Sequence, residues 1–240
     1  SAPCMARGED GDLHLALQGG LSTQTDILYS RREAGATGWP TATVAFTHTA
    51  SGAHKPSLAV SDDGQMVHLV WEESFGGAES QIYYMRGQKH DQDVIWEAPL
   101  SLSQGITRSV QPDIALWSEP DSESGEAQPS LYVVWSEQVE DYDAQYVRYT
   151  CSSDGGASWS APLRVNAERV SANNVAPTYV TPALDVTPSG AVCVAWHGFR
   201  PDAAVEAEEV YVSCSTDQGA SWGTPVNVSR SPGTISIRPT

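Results

Sequence analysis

The chain predicts an all-β fold, a β-propeller of four-stranded antiparallel blades, on three observations. A strand–turn–strand unit ending in Trp recurs, from Pro56–Val60 to Val67–Trp71, from Pro112–Leu116 to Leu131–Trp135 and from Pro182–Val186 to Val192–Trp196. Each copy is followed by a third strand, a turn, another Trp and a fourth strand. No helical pattern longer than a turn or two interrupts the series. Four strands per unit, repeated at such a period, is the pattern of propeller blades.

Taken in order, the first unit is the most decayed. Asp12–Leu17 reads as its second strand and Ile27–Arg31 as its third; Trp39 and Thr43–Phe46 complete it, with only a weak opening strand around Cys4–Ala6. In the later units the third strands are Ile82–Arg86, Tyr146–Thr150 and Val210–Cys214. Trp96, Trp159 and Trp222 precede the fourth strands Ala98–Leu102, Ala161–Val165 and Thr224–Val228. Alternation of apolar and polar residues within these segments suits half-buried or sandwiched strands. The units fall at about 1–50, 51–106, 107–170 and 171–232 of a single domain over 1–240. Residues 233–240 read as a closing strand, because Ile237-Arg238-Pro239 resembles the opening of a blade at His54-Lys55-Pro56. That tail is expected to pair with the first unit, in the same chain or a neighbouring one, or else to begin a fifth blade. Four units make a small ring or part of a larger propeller. Unclosed blade edges would drive association into a homo-oligomer.

Two octets fix the kind of propeller. Ser152-Ser153-Asp154-Gly155-Gly156-Ala157-Ser158-Trp159 and Ser215-Thr216-Asp217-Gln218-Gly219-Ala220-Ser221-Trp222 share the pattern S-x-D-x-G-x-S-W. Ser152, Asp154, Ser158, Ser215, Asp217 and Ser221 can bond the backbone of a tight turn. Gly156 and Gly219 can take a positive φ without a Cβ clash. Trp159 and Trp222 are expected to fold back and plug the gap beneath their own hairpins. The pattern resembles the Asp-box, or bacterial neuraminidase repeat, of sialidase-like β-propellers. The turns at 32–38 and 87–95 keep the Trp without the box.

Composition narrows the partners. The 240 residues carry 30 acidic and 13 basic side chains, a formal net charge of −17. A phosphate backbone needs a basic footprint, so nucleic acid is excluded as a partner, and anionic membrane surfaces are equally disfavoured. No apolar run reaches the length of a membrane span, so no membrane insertion is expected. The charge suits an extracellular or cell-surface setting. Four cysteines, Cys4, Cys151, Cys193 and Cys214, lack metal-ligand spacing. Cys193 and Cys214 stand where they would face each other across adjacent strands; a disulfide and buried free thiols are the two alternatives.

The resemblance implies that ligands bind on the face opposite the boxes, built from the second-to-third loops and the connections between blades. Those loops hold Glu72, Glu73, Glu79, Glu137, Glu140, Asp141, Asp143, Asp202, Glu206, Glu208 and Glu209, and the connections hold His48, His54, Arg108, Arg169 and Arg230. A sialidase would need three arginines on the substrate carboxylate, a Tyr–Glu nucleophile pair and an Asp acid–base. Arg108, Arg230 and Arg238 are the candidate arginines, and Glu72 and Glu137 the candidate carboxylates; no Tyr–Glu pair is visible from spacing. His68 reads as a core residue and His197 as the better loop candidate. No metal site has a recognised spacing, and no cofactor is expected, with Ca²⁺ on the acidic loops the one exception to consider. Asn227-Val228-Ser229 is a glycosylation sequon. The expectation is a non-catalytic recognition or assembly module with a glycan or protein partner. The alternatives are a sialidase-like exo-glycoside hydrolase and a structural subunit of a surface complex.

Overall fold

The structure is a computed structural model that describes residues 3–21, 24–49, 51–76, 79–105, 108–119, 129–139, 144–166, 180–199 and 208–230. It is all-β and forms propeller blades. The first blade comprises β1 (Cys4–Arg7), β2 (Leu13–Leu21), β3 (Gln24–Arg32) and β4 (Thr43–Phe46), in that spatial order. The second contains β5 (Gly52–Val60), β6 (Met66–Gly76) and β7 (Glu79–His90), with β8 (Asp93–Trp96) and β9 (Leu100–Ser101) both on the outer edge of β7. The third runs β10 (Arg108–Trp117), β11 (Ser130–Val139), β12 (Ala144–Ser152) and β13 (Leu163–Arg164). The fourth runs β14 (Ala183–Val186), β15 (Val192–Phe199), β16 (Glu208–Ser215) and β17 (Val226–Asn227). Within every blade neighbouring strands are antiparallel; among the described residues a single parallel bridge, Arg108 to Ser80, joins the second blade to the third.

Successive blades bury one face against the next. Ala16 and Ile27 of the first blade pack on Leu58, Leu69, Trp71 and Met85 of the second. Val70, Ile82 and Tyr84 of the second meet Ile114, Leu131, Val133 and Trp135 of the third. Tyr132, Val134, Val147 and Tyr149 of the third meet Leu184, Val192, Val194 and Trp196 of the fourth. Strand alternation makes this possible, since odd and even positions of one strand face different blades.

The first strands lie innermost and are stitched by one carboxylate. Asp113 of β10 accepts from Ser57 Oγ of β5 at 2.8 Å and from the Leu184 N–H of β14 at 2.9 Å. Burial raises its pKa above the ordinary carboxylate value, against those hydrogen bonds. β1 holds the innermost place of the first blade, paired with β2 from Cys4–Ala16 to Arg7–Leu13. The tail 233–240 lies outside the described residues. β5 and β10 each carry a bulge, between His54 and Ser57 and between Val110 and Asp113. In each the residue before proline is left-handed, Lys55 at φ 52° and Gln111 at φ 58°.

The tryptophans before the fourth strands reach beyond their own hairpins, although Trp96 also covers Gly87 of its own. Each stands edge-on against a third-strand tyrosine of the preceding blade: Trp96 on Tyr29, Trp159 on Tyr84 and Trp222 on Tyr149, with ring centroids 5.2, 4.8 and 5.0 Å apart. Trp39 of the first blade is 41% exposed and lies under the Arg32 guanidinium.

Cys193 and Cys214 are directly opposed on β15 and β16 and form a disulfide; Cys4 and Cys151 are free thiols. Burial pushes the Cys4 thiol up to about 12.

Candidate ligand face

The two octets are alike in their bonding. Ser152 Oγ donates to Asp154 Oδ1 and accepts from Gly156 N, while the Asp154 carboxylate accepts from Ser158 N and Oγ, all within 2.5–2.9 Å. Ser215, Asp217, Gly219 and Ser221 repeat the arrangement within 2.5–2.8 Å. Hydrogen bonds from the serines hold Asp154 and Asp217 at about 2, low for a carboxylate. With their oxygens satisfied in this way, the boxes hold turns, and the face on which the sequence places ligands is the opposite one.

That face is where second strands end and third strands begin. Glu72 follows Trp71 on β6 and alternation turns it toward the third blade. There its Oε2 lies 3.4 Å from the backbone N–H of Gln111, in the β10 bulge. The charges of Lys55 and Arg108 both act on it. Burial raises the Glu72 pKa, opposed in turn by the Gln111 N–H and by these two cations. Lys55, Glu72, Arg108 and Gln111 therefore make a polar patch between the innermost strands of the second and third blades. The sequence pointed to Glu72 and Arg108 and missed Lys55 and Gln111. The signal for those two was a polar residue before proline at the same place in two repeats.

Other sequence candidates hold the fold. Glu137 is paired with Arg148, whose Nε and Nη2 donate to its two oxygens at 2.5 and 2.9 Å. Glu73 is fully buried and accepts from Thr49 N and Oγ1. Glu209 is buried and accepts from Ser229 Oγ. Arg230 is exposed and donates to the Asn227 carbonyl rather than joining Glu72. His197, expected in a loop, is buried within β15, because that strand continues to Phe199. His68 is fully buried and bonded through Nδ1 to Tyr84 Oη at 2.9 Å. His48 pairs with Asp26 at 2.7 Å and His54 with Thr25 Oγ1 at 3.2 Å. Asn227 accepts from the Arg230 N–H, and Ser229 Oγ also accepts from the Val210 N–H. Arg169, Arg238, Glu140, Asp141, Asp143, Asp202 and Glu206 lie outside the described residues. Among the described residues no three His, Cys, Asp or Glu side chains converge as metal ligands would.

No protein-family model and no curated protein matches the chain in sequence. Solved structures match its fold. A protein of unknown function from Dyadobacter fermentans superposes with a TM-score of 0.63 at 13% identity, over 94% of this chain and 68% of that one. The GH93 α-L-arabinofuranosidase of Fusarium graminearum, solved with arabinobiose, gives 0.57 at 14% identity, over 90% and 62%. An α-L-arabinanase of Penicillium chrysogenum, also with arabinobiose, gives 0.55 at 14%, over 92% and 65%. The chain thus spans about two thirds of the length of these structures. The likeness establishes a partial propeller shared with glycoside hydrolases; at such identity it concerns the fold alone.

Proposed function

We propose that the chain is a glycan-recognising propeller unit of the sialidase-like Asp-box type, acting by binding rather than by hydrolysis. One observation carries this reading. The patch at Lys55, Glu72, Arg108 and Gln111 sets one half-buried carboxylate, bonded by the Gln111 N–H, in the field of two cations, whereas Glu137 and Glu209 are spent on structural hydrogen bonds. Hydrolysis by the usual two-carboxylate route needs a second acid across the scissile bond, and among the described residues the patch offers Glu72 alone. Sugar-bound propellers with this fold support a carbohydrate ligand. The Cys193–Cys214 disulfide supports an oxidising, extracellular or cell-surface location.

The test is calorimetric titration with arabinobiose, backed by an oligosaccharide array, on the parent chain and on Glu72→Gln and Arg108→Ala. Binding that both variants lose, with unchanged melting temperatures, supports the reading. Binding untouched by either sinks it.

A hydrolase is the second reading, favoured by the raised pKa of Glu72, a property of general acids. Release of a chromogenic aryl group from an arabinofuranoside or a sialoside, abolished by Glu72→Gln, would establish it in place of the first.

A further inference from the structure

We propose that Phe75, Tyr83 and Glu73 form a second sugar subsite on the ligand face, a stacking platform between the first and second blades for the C–H face of a neutral sugar ring. It deepens the glycan-binding reading and is separate from the Glu72 patch. Along β6, alternation sends Trp71 and Glu73 toward the first blade and Glu72 toward the third, and Phe75, in the irregularity between Ser74 and Gly76, meets Tyr83.

The first observation is an aromatic ladder that surfaces on this face. Phe46 lies 4.5 Å from Trp71, Trp71 stacks on Tyr83 at 5.8 Å, and Tyr83 meets Phe75 at 6.4 Å. Phe75 ends the ladder 38% exposed, at the tip of β6 where a turn residue would ordinarily be polar. An exposed aromatic whose base is braced by three buried or half-buried rings loses little entropy on binding. It offers a rigid apolar plane to a ligand that is apolar on one face and hydroxylated at its edge.

The second observation is polar and independent of the first. Glu73 is fully buried, with Oε1 held by Thr49 N at 2.7 Å and Thr49 Oγ1 at 2.9 Å. Its Oε2 has no hydrogen-bond partner among the described residues. A buried carboxylate oxygen left without a donor is costly unless a donor arrives. Glu73 is close enough to Tyr83 that its charge, after burial, raises the phenol's pKa. The phenol stays protonated and able to donate. A sugar stacked on Phe75 would meet this protonated hydroxyl and, beyond it, a carboxylate able to accept from a ring hydroxyl.

The experiment uses arabinobiose as probe on the whole chain, followed by saturation-transfer NMR and calorimetry. Phe75→Ala should weaken binding about tenfold without lowering the melting temperature, since Phe75 is exposed. Phe75→Trp should restore it, which a merely structural role would not produce. Glu72→Gln separates the two sites. Loss of all binding in Glu72→Gln with none in Phe75→Ala overturns the platform and leaves the patch. Loss in Phe75→Ala alone keeps the platform and overturns the patch. Absence of binding by the parent chain to arabinobiose and to every sugar of an oligosaccharide array overturns both.

Discussion

The Tyr149 hydroxyl donates to the Gln218 carbonyl at 2.6 Å, and the missing side chain of Gly219 beside it leaves the space that the Tyr149 ring fills. A Cβ on Gly219 would fall inside that ring, and one on Gly156 would fall on the Tyr84 hydroxyl. Both glycines also sit at φ 87°. The box glycine is thus a socket for the tyrosine of the blade before it. Gly219→Ala and Gly156→Ala should each cost about 3 kcal/mol, combining left-handed backbone strain with overpacking. For a domain of this size that is a fall of roughly 6–12 °C in melting temperature. Adding Tyr149→Ser to Gly219→Ala should recover part of the loss; strict additivity of the two changes would refute the socket.

The tryptophans divide into two sets. Trp71 and Trp135, on the second strands, are fully buried and should cost about 3–5 kcal/mol each when cut to Ala. Trp159 and Trp222 are half-buried and press on a tyrosine edge, so their loss should cost less, about 2–3 kcal/mol. Trp39, exposed in the first blade, should cost under about 1 kcal/mol. Equal losses at Trp39 and Trp222 by thermal or urea unfolding would contradict the interblade packing.

The blade repeat was legible in the sequence because its strands alternate and its turns carry a spaced signature. Where Trp159 and Trp222 point was not legible: a repeat has the same local pattern whether its aromatic folds under its own turn or onto a neighbour. Pairing across strands was half legible, since the place of Cys214 before its box aligned it with Cys151, but only register shows which residue lies opposite. The patch was the least legible part. Glu72 and Glu137 both follow the second-strand Trp of their repeat, at +1 and +2 respectively, and that single step sends one to the patch and the other to Arg148.

Register also predicts a second disulfide. Tyr132 lies opposite Cys151 in the third blade as Cys193 lies opposite Cys214 in the fourth. Tyr132→Cys should therefore oxidise with Cys151, leaving Cys4 as the remaining thiol in a thiol titration of the unfolded chain. Replacing Cys193 and Cys214 with Ala should remove on the order of 3 kcal/mol, given the 21-residue separation of the pair. A Tyr132→Cys protein that still titrates three thiols after oxidation would disprove the shared register.

Two buried histidines set a pH dependence. His14 and His68 hold equivalent places in the first two blades, each bonded through Nδ1 to a tyrosine hydroxyl. Burial lowers both from 6.5 to about 4. The unfolded chain then binds more protons than the folded one between those values. Their contribution is complete above pH 6.5, is lost as pH falls toward 4, and is flat below. Each is worth on the order of 3 kcal/mol. Glu72 and Asp113, whose pKa values burial raises, act in the opposite sense in acid. The difference between parent and His68→Gln melting curves isolates the histidine: it should shrink steadily from pH 7 to pH 4. A difference that does not change over that range would mean that His68 titrates in the fold as it does in the unfolded chain.

The two candidate carboxylates should respond oppositely to the same change. Glu137 and Arg148 form a largely buried pair, with side chains 6% and 18% exposed. Removing one charge strands the other, so Glu137→Gln should cost about 3 kcal/mol or more while leaving sugar binding intact on whatever protein remains folded. Glu72 bears the reverse balance. Its burial raises its pKa despite Lys55 and Arg108, which means that the fold holds its charge at a cost. Glu72→Gln keeps the shape and removes that cost, so stability should hold or rise by a few tenths of a kcal/mol. Arabinobiose binding at the patch should fall because the negative charge on which Lys55 and Arg108 act is gone and an amide N–H₂ stands in for one carboxylate oxygen. Melting temperature and calorimetric affinity, measured on both variants, form a crossed pair. Glu72→Gln melting well below the parent would make Glu72 a structural anchor like Glu137, and the patch would lose its claim to a ligand.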